Sequence, residues 1–382
     1  MGWIEDYMEY ARNNEAPDQF HWWTSLAVLG ATLRRNVVFR KGSFKIFPNP
    51  WILIVAPSGT KKSTALELGF NLLSKMDNIR ILPNKFTPEV LLRSLARPER
   101  GSDVIESQAV LYSSEFGVVL DRKHYNEGLT QLLLDLWDSR DQWRCETVGG
   151  GIITLRNIAI VLLAAIADDI FRESMPELAL RSGFLARLIL VTGKDEGKIE
   201  AFPWTDENLE AELLSQLYEL SMIRGEMGFE DGAEEWYITW YMKHKARIRT
   251  GISEAMKAYY ERKPRHLLQV AMLCAISQKK RPVYTVRSFE EAAERLDALE
   301  PGMEALLNAI SAPPFARIQA RILEQIKATK LISHKELLKK NMSHIADPAM
   351  FKKAMMQLLE TGMLDVMRDK RGTIYYRMKG GR

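Results

Sequence analysis

Lys61-Lys62-Ser63-Thr64 places two ammonium groups and two hydroxyls directly behind a Pro/Ser/Gly turn. Apolar, strand-forming residues from Trp51 to Val55 precede the turn, and a helical pattern follows it. Strand, tight turn, Lys-Ser and helix is the layout of a phosphate-binding loop. The helix points its first N–H groups at an anion, the lysine meets the terminal phosphates, and the hydroxyl ligates Mg²⁺. Against G-x-x-x-x-G-K-[ST] the stretch reads Ala56-Pro57-Ser58-Gly59-Thr60-Lys61-Lys62-Ser63. The lysine and the serine fit; both template glycines are replaced. Lys62, not Lys61, takes the phosphate role, because Ser63 follows it at the start of the helix. Pro57 to Thr64 are thus candidates for holding ATP, with Ser63 on Mg²⁺.

Three further residues could complete such chemistry. Glu115 follows the buried-strand pattern of residues 109–112, where an acid orients Mg²⁺ or the attacking water. The usual Asp-Glu pair reads Ser114-Glu115 here, and a solvated strand-end glutamate is the plain alternative. Arg187 stands immediately before the apolar run LILV, where a guanidinium can reach a neighbouring subunit's nucleotide or simply make an ion pair on the sheet edge. Arg265 lies at the start of a helix with apolar Leu267, Val270, Ala271, Leu273 and Cys274. After the strand at 158–165 the nearest polar residues are Asp168 and Asp169, for which capping a helix is the simpler task.

The elements that must position these groups alternate. Strands are expected at 51–55, 78–82, 109–112, 158–165 and 188–191, separated by helices at 64–74, 87–96 and 125–137. That alternation implies a parallel sheet with crossover helices, and ligands on such sheets bind at the carboxyl ends of strands. A hairpin is expected around Lys41-Gly42-Ser43 and another around Gly149-Gly150-Gly151. Helices are expected at 2–13 and from Pro17 to about Arg35, the latter with His21-Trp22-Trp23 packed into the following domain rather than forming a nucleobase platform. Beyond residue 204 the pattern is helical, with helices at 205–224, 233–260, 264–277 and 288–310. Trp236, Trp240 and Tyr241 are expected in the core.

Composition bounds the class. Of 382 residues, 46% are hydrophobic and 27% charged, as in a globular chain of two or three domains. No apolar run is long enough for a membrane span, no secretory signal is evident at the N-terminus, and Cys145 and Cys274 show no ligand spacing, so a reduced cytoplasmic protein is expected. The net charge of +4 is uneven: residues 315–382 carry 15 Lys/Arg against 6 Asp/Glu, leaving 38 against 43 elsewhere. A basic module suits a polyanion partner, and a solvated surface would give the same count. That module reads as three short helices and two strands around Lys370-Arg371-Gly372, the pattern of a winged helix. Lys352 and Lys353 on its third helix, with Lys370 and Arg371 on the wing, would meet DNA phosphates; such modules also bind proteins.

This order of elements resembles the AAA+/RecA-like P-loop helicase ATPases of phages and other mobile genetic elements, and the ATPase core of minichromosome maintenance helicases. The resemblance is carried by PNPWILIVAPSGTKKST, by Glu115, by Gly183-Phe-Leu-Ala-Arg187-Leu and by Pro264-Arg265-His-Leu-Leu-Gln. Those helicases also keep a glycine at the position of Gly59 and a non-glycine directly before the lysine. The resemblance implies an α/β fold with a parallel-sheet P-loop NTPase core (48–197), an N-terminal helical and hairpin segment (1–47), a helical lid (198–312) and a winged-helix domain (313–382). It implies a DNA-dependent ATP hydrolase in a hexameric ring, in the cytoplasm of a bacterial host, without membrane association. Lys62 would bind phosphate, Ser63 Mg²⁺, Glu115 would activate water, Arg187 would act in trans and Arg265 would be a second sensor. Lys61, Ser114 and the lack of a polar sensor after Ala165 depart from the pattern, so a slowly hydrolysing DNA adaptor such as a helicase loader is the alternative; a small-molecule kinase would leave the basic module without a use.

Overall fold

A computed structural model of the chain describes residues 2–82, 87–98, 105–120, 128–147, 151–175, 182–311, 314–341 and 348–379. Gly149 and Gly150 of the expected hairpin tip lie outside these residues, as do the expected helix start at 125–127 and the linker residues 312 and 313. The chain divides into two compact units, Met1–Ala305 and Leu306–Arg382.

The first unit opens with α1 (Trp3–Tyr10), α2 (Asp18–Leu33) and a hairpin of β1 (Val37–Lys41) and β2 (Phe44–Ile46). β3 (Trp51–Ala56) turns into α3 (Lys62–Ser74), and β4 (Ile81–Leu82) is followed by α4 (Pro88–Leu95), where the Thr87 hydroxyl accepts from the Val90 N–H at 3.4 Å. Then come β5 (Gln108–Ser113), α5 (Phe116–Leu120) and α6 (Leu129–Trp137). A separate two-stranded hairpin, β6 (Gln142–Thr147) and β7 (Gly151–Arg156), precedes β8 (Ala159–Ala167), α7 (Asp168–Ser174) and β9 (Ile189–Thr192). Five of these strands form one all-parallel sheet in the order β4-β5-β8-β3-β9. All six residues of β3 are buried, and so are Ala159 to Ile166 of β8. A continuous apolar strand is what a parallel sheet covered on both faces requires.

One cover is α2. Every residue from Phe20 to Leu33 is buried, so this helix has no solvent face. Trp22 and Trp23 are therefore core residues. α3 lies so close to α2 that a Cβ on Gly69 would stand 2.4 Å from Thr24 Cγ2. The N-terminal segment is stitched to the helices that follow the sheet, α8 (Glu207–Ser221), α9 (Ala233–Thr250), α10 (Glu254–Lys279) and α11 (Val286–Ser311). Trp3 Nε1 donates to the Leu213 carbonyl at 3.1 Å, Tyr10 Oη to Glu210 at 2.8 Å, and the Ile4 N–H to Ser277 Oγ at 2.9 Å. β1 also pairs in parallel with β10 (Gly225–Glu226), and β11 (Gly228–Phe229) with β12 (Val283–Tyr284). Residues 2–47, α8, α9, α10 and α11 as far as Ala305 thus share one compact unit with the sheet.

The helix break expected before Pro264 lies elsewhere. The chain breaks at Gly251, at φ +113°, and Pro264 sits inside α10. Proline removes the N–H that would have met the Tyr260 carbonyl, and it normally kinks or ends a helix. Here His244 Nε2 meets that carbonyl at 2.7 Å. A side chain from α9 replaces the missing donor, so α10 continues. Trp236, Trp240 and Tyr241 are half-buried rather than core; Trp236 stacks on Phe289 with ring centroids 5.5 Å apart, and Trp240 on His244 at 4.9 Å.

The second unit contains α12 (Pro314–Thr329), β13 (Ile332–Ser333), α13 (His334–Asn341), α14 (Pro348–Glu360), β14 (Leu364–Arg368) and β15 (Ile374–Met378). Ser333 Oγ caps α13 by accepting from the Glu336 N–H at 3.2 Å. The three strands form an antiparallel sheet in the order β13-β15-β14. β13 is too short for its pattern to show in sequence. The core joins Ile322, Ile326, Leu337, Phe351, Leu358 and Tyr376. Among the described residues, no helix is long and apolar enough to cross a membrane.

His21 in α2 is fully buried with both ring nitrogens unpartnered, and burial pushes its pKa down to about 4. The folded state therefore holds it neutral. Its contribution is fully present above the unfolded value of about 6.5 and is lost as pH falls toward 4, by roughly 3 kcal/mol at full protonation. The midpoint of thermal unfolding is expected to drop between pH 7 and 4.5, and less steeply in a His21→Leu variant. Equal slopes in the two proteins would place the acid sensitivity in other groups.

Candidate functional site

The loop after β3 and the residues after β8 meet at one place. β3 and β8 are neighbours with Ala56 opposite Ala167, yet the chain leaves β3 toward β4 and leaves β8 toward β9. Adjacent strands whose connections depart in opposite directions create the crevice in which open α/β sheets bind ligands. Pro57, Ser58 and Gly59 are exposed there, Thr60 is buried, and α3 begins at Lys62. Thr60 Oγ1 donates to the Pro57 carbonyl at 2.8 Å and so tightens the turn.

The two lysines part company. Lys61 occupies the position of the second template glycine and adopts φ +58°, a left-handed conformation that costs a non-glycine residue about 1–2 kcal/mol. Its ammonium turns away from the helix to Glu15, 2.8 Å distant. Lys62 folds back over the loop and donates to the carbonyls of Ala56 and Pro57 at 2.8 and 2.7 Å. Partial burial lowers its pKa, against the opposing pull of Asp168 and Asp169. Ser63 is exposed in the first turn, and Thr64 is half-buried beside it. A cation inside a loop, next to helix N–H groups without intrahelical partners, is a fitting receptor for phosphate oxygens.

Glu115 lies at the same end of the sheet. It is exposed just beyond β5, and its carbonyl accepts from Val118 as α5 begins. β8 separates β5 from β3, which sets a lateral spacing of about 10 Å between Glu115's strand and the loop's strand. Asp168 and Asp169 sit closer in register, in the first turn of α7, whose N-cap residue is Ala167. Asp168 pairs with Arg172 at 3.5 Å. Among the described residues, no group of three or more His, Cys, Asp or Glu side chains is arranged to hold a metal ion.

Arg187 and Arg265 are elsewhere. Arg187 ends the short 3-10 turn Leu185–Arg187 that leads into β9, and Ile189 pairs with Ile52. Arg187 thus stands at the amino end of the strands, while Lys62 stands beyond their carboxyl end. Six residues of strand make the separation on the order of 20 Å. Arg265 stands beside Arg187: the guanidinium carbons of Arg265 and Arg187 lie 3.7 and 5.1 Å from the ring centroid of Trp137. Arg262, one helical turn before Arg265, is the third cation there at 5.4 Å. Arg265 Nη2 donates to the Trp137 carbonyl at 3.3 Å and Arg187 Nη1 to the Gly183 carbonyl at 3.2 Å. Burial lowers the pKa of both, Arg265 to about 10, and Arg262 adds to the effect on each.

His266 pins the two carriers together. Its Nε2 meets the Ala186 carbonyl at 2.9 Å, which requires the proton on Nε2, and burial pushes its pKa down to about 4. Sequence reasoning did not single out Arg262, Trp137 or His266. The three-residue spacing of Arg262 and Arg265 on one helix face was the available signal; Trp137 and His266 offered none.

In the second unit Lys352 and Lys353 are exposed on α14, and Lys370 and Arg371 are exposed at the β14–β15 turn. Asp369 fixes that turn by accepting from the N–H groups of Arg371 and Thr373 at 2.8 and 2.9 Å. The four cations therefore occupy one helix and one hydrogen-bonded turn.

No protein-family model matches the chain, and no curated protein matches it.

The different directions taken by the two lysines give a direct test. A Lys61→Gly variant is expected to bind nucleotide about as well as the parent, because glycine accepts φ +58° and only an exposed ion pair is lost. Lys62→Ala is expected to weaken binding at least tenfold in a titration with a fluorescent ATP analogue. Reversal of the two effects would exchange the lysines' roles.

Proposed function

We propose that the chain is an ATP-hydrolysing DNA motor, a P-loop NTPase that assembles head to tail and works as a helicase of a phage or mobile element. The observation that carries this reading is the turn after β3, with Lys62 folded into it and Ser63 exposed at the head of α3. Bound Mg²⁺–ATP would supply the phosphoryl group whose transfer to water drives movement. Lys62 and the first N–H groups of α3 would hold the terminal phosphates, Ser63 Oγ would face the metal, and Glu115 would orient the attacking water. Arg187 and Arg265, on the order of 20 Å from the loop of their own chain, are suited to reach the nucleotide of another copy. A contact between unlike faces is heterologous and closes into a ring when its rotation permits. The second unit reads as a winged helix, with Lys352, Lys353, Lys370 and Arg371 neutralising DNA phosphates. The helices α8 to α11, within residues 198–312, take the part of a lid.

A second reading has one specific support. Ser114 brings no charge beside Glu115, so a nucleotide-binding DNA adaptor with slow turnover fits the same loop. Steady-state hydrolysis with and without DNA separates the two. For the motor, DNA is expected to stimulate turnover, Lys62→Ala to abolish it together with nucleotide binding, and Arg187→Ala to lower kcat by about 10²-fold or more with binding kept. Hydrolysis that persists in Lys62→Ala would sink the site assignment; tight binding without stimulated turnover would favour the adaptor. Replacing Lys352, Lys353, Lys370 and Arg371 together is expected to reduce the salt slope of DNA binding by about 3–4. An unchanged slope would remove the second unit from the DNA contact.

A further inference from the structure

We propose that Arg262 is a third arginine that contacts the nucleotide phosphates of a neighbouring copy, and that Trp137 is the plate that positions Arg187, Arg262 and Arg265 for that contact. The proposal rests on the motor's inter-subunit ATP site and adds to it a residue and a support that the sequence pattern did not single out.

The charge pattern around α10 motivates it. Lys263, buried between Arg262 and Arg265 in sequence, is paired with both Asp297 and Glu300. Arg35, another largely buried cation, has Asp141 and three backbone carbonyls. The three arginines on Trp137 differ. Among the described residues none of them has a carboxylate within salt-bridge distance, and the Nε atoms of Arg187 and Arg265 are buried without a partner. Asp138, the acid nearest in influence on Arg265, is engaged by Arg140 at 3.5 Å.

Three like charges in a half-desolvated spot repel one another unless an anion joins them. The unliganded chain holds them by other means. Each guanidinium lies against the indole of Trp137, whose π face attracts a cation. Two of them converge on one point: a Cβ on Gly183 would stand 3.5 Å from Arg187 Nη1 and 3.8 Å from Arg262 Nη2. Planar guanidiniums gathered on a rigid ring, with donors unspent, match the several oxygens of a triphosphate better than a lone flexible arginine does. The loop of the same chain is too far away to supply those oxygens, so the ligand is a triphosphate carried by a second copy.

The test uses the full-length chain and two readouts. Sedimentation measures whether a non-hydrolysable ATP analogue strengthens self-association, and steady-state turnover is measured in mixtures of variants. Arg262→Ala is expected to bind the analogue like the parent but to lose about tenfold in analogue-dependent association and to lower kcat by tenfold or more at constant KM. Arg262→Gln, which keeps the aliphatic stem, serves if the alanine variant unfolds. Mixing Arg262→Ala with Lys62→Ala chains should recover activity, because some interfaces then pair an intact loop with an intact cluster. Trp137→Phe should retain most of the association and Trp137→Leu should lose it, since phenylalanine keeps a π face. Parent-like association and kcat in Arg262→Ala, alongside recovery in an Arg187→Ala plus Lys62→Ala mixture, would overturn the role of Arg262 and leave the motor reading intact. No recovery in that second mixture would overturn both. Equal losses in Trp137→Phe and Trp137→Leu would reduce Trp137 to a packing residue.

Discussion

The backbone pairing of β3 with β8 and β9 is the constraint on which both candidate sites depend. Trp51 to Ala56 are all buried and paired with β8, and Ile52 to Val55 are paired with β9 as well, so the strand can neither slip nor tilt without unpairing buried amides. A register slip of one residue would turn every side chain to the opposite face. Because all five strands run the same way, the pairing also sorts the chemistry. Everything that follows a strand lies at one end: the Lys62 loop, Glu115 and the Asp168–Asp169 pair. What precedes β9 lies at the other, with Arg187, the C-terminus of α6 and, through His266, the Arg265 turn of α10. The polarity of a parallel sheet thus gives one chain two unlike ends, the condition for heterologous assembly.

Burial divides the cations of the first unit into two kinds. Lys263 and Arg35 are neutralised within the chain, as buried charges ordinarily must be. Lys62 and the three arginines on Trp137 are not. Among the described residues Lys62 has two carbonyl oxygens, and the arginines have ring faces and two carbonyls. Neither set is paired with a carboxylate among the described residues, and the two sets stand at opposite ends of the sheet. Partial desolvation lowers the pKa of Lys62, Arg187 and Arg265, so each gains from an anion that restores its partner.

What could be read from the sequence is what is local. The turn into α3 and the alternation that yields the parallel sheet depend on residues close to one another in the chain. What could not be read depends on distant partners. Pro264 marks a helix break by every local rule, and only His244, twenty positions earlier on another helix, removes the reason for it. Trp236 packs on Phe289, which stands on α11 and outside any window on α9. The N-terminal helices read as a separate segment because their acceptors, Leu213, Glu210 and Ser277, lie some 200 residues or more away. Arg187 and Arg265 were each visible beside an apolar run, but their convergence on Trp137 was not.

Lys61 shows how a departure from a local rule can be absorbed. Glycine suits its backbone angle, and lysine there costs about 1–2 kcal/mol. The ion pair with Glu15 joins an exposed lysine to a half-exposed carboxylate and, like other solvated pairs, returns little of that cost. The pair alone therefore does not hold the angle. The Thr60–Pro57 bonds and the first turn of α3, closed by the Ala65 N–H on the Lys61 carbonyl at 3.2 Å, must supply the remainder. What the lysine adds is a connection. Glu15 accepts from Lys61 and also from the Glu200 N–H at 3.2 Å, tying the loop to the chain that leaves β9. Glycine at this position would keep the turn and release that tie, so the departure from the template changes what the loop is attached to rather than the shape it takes.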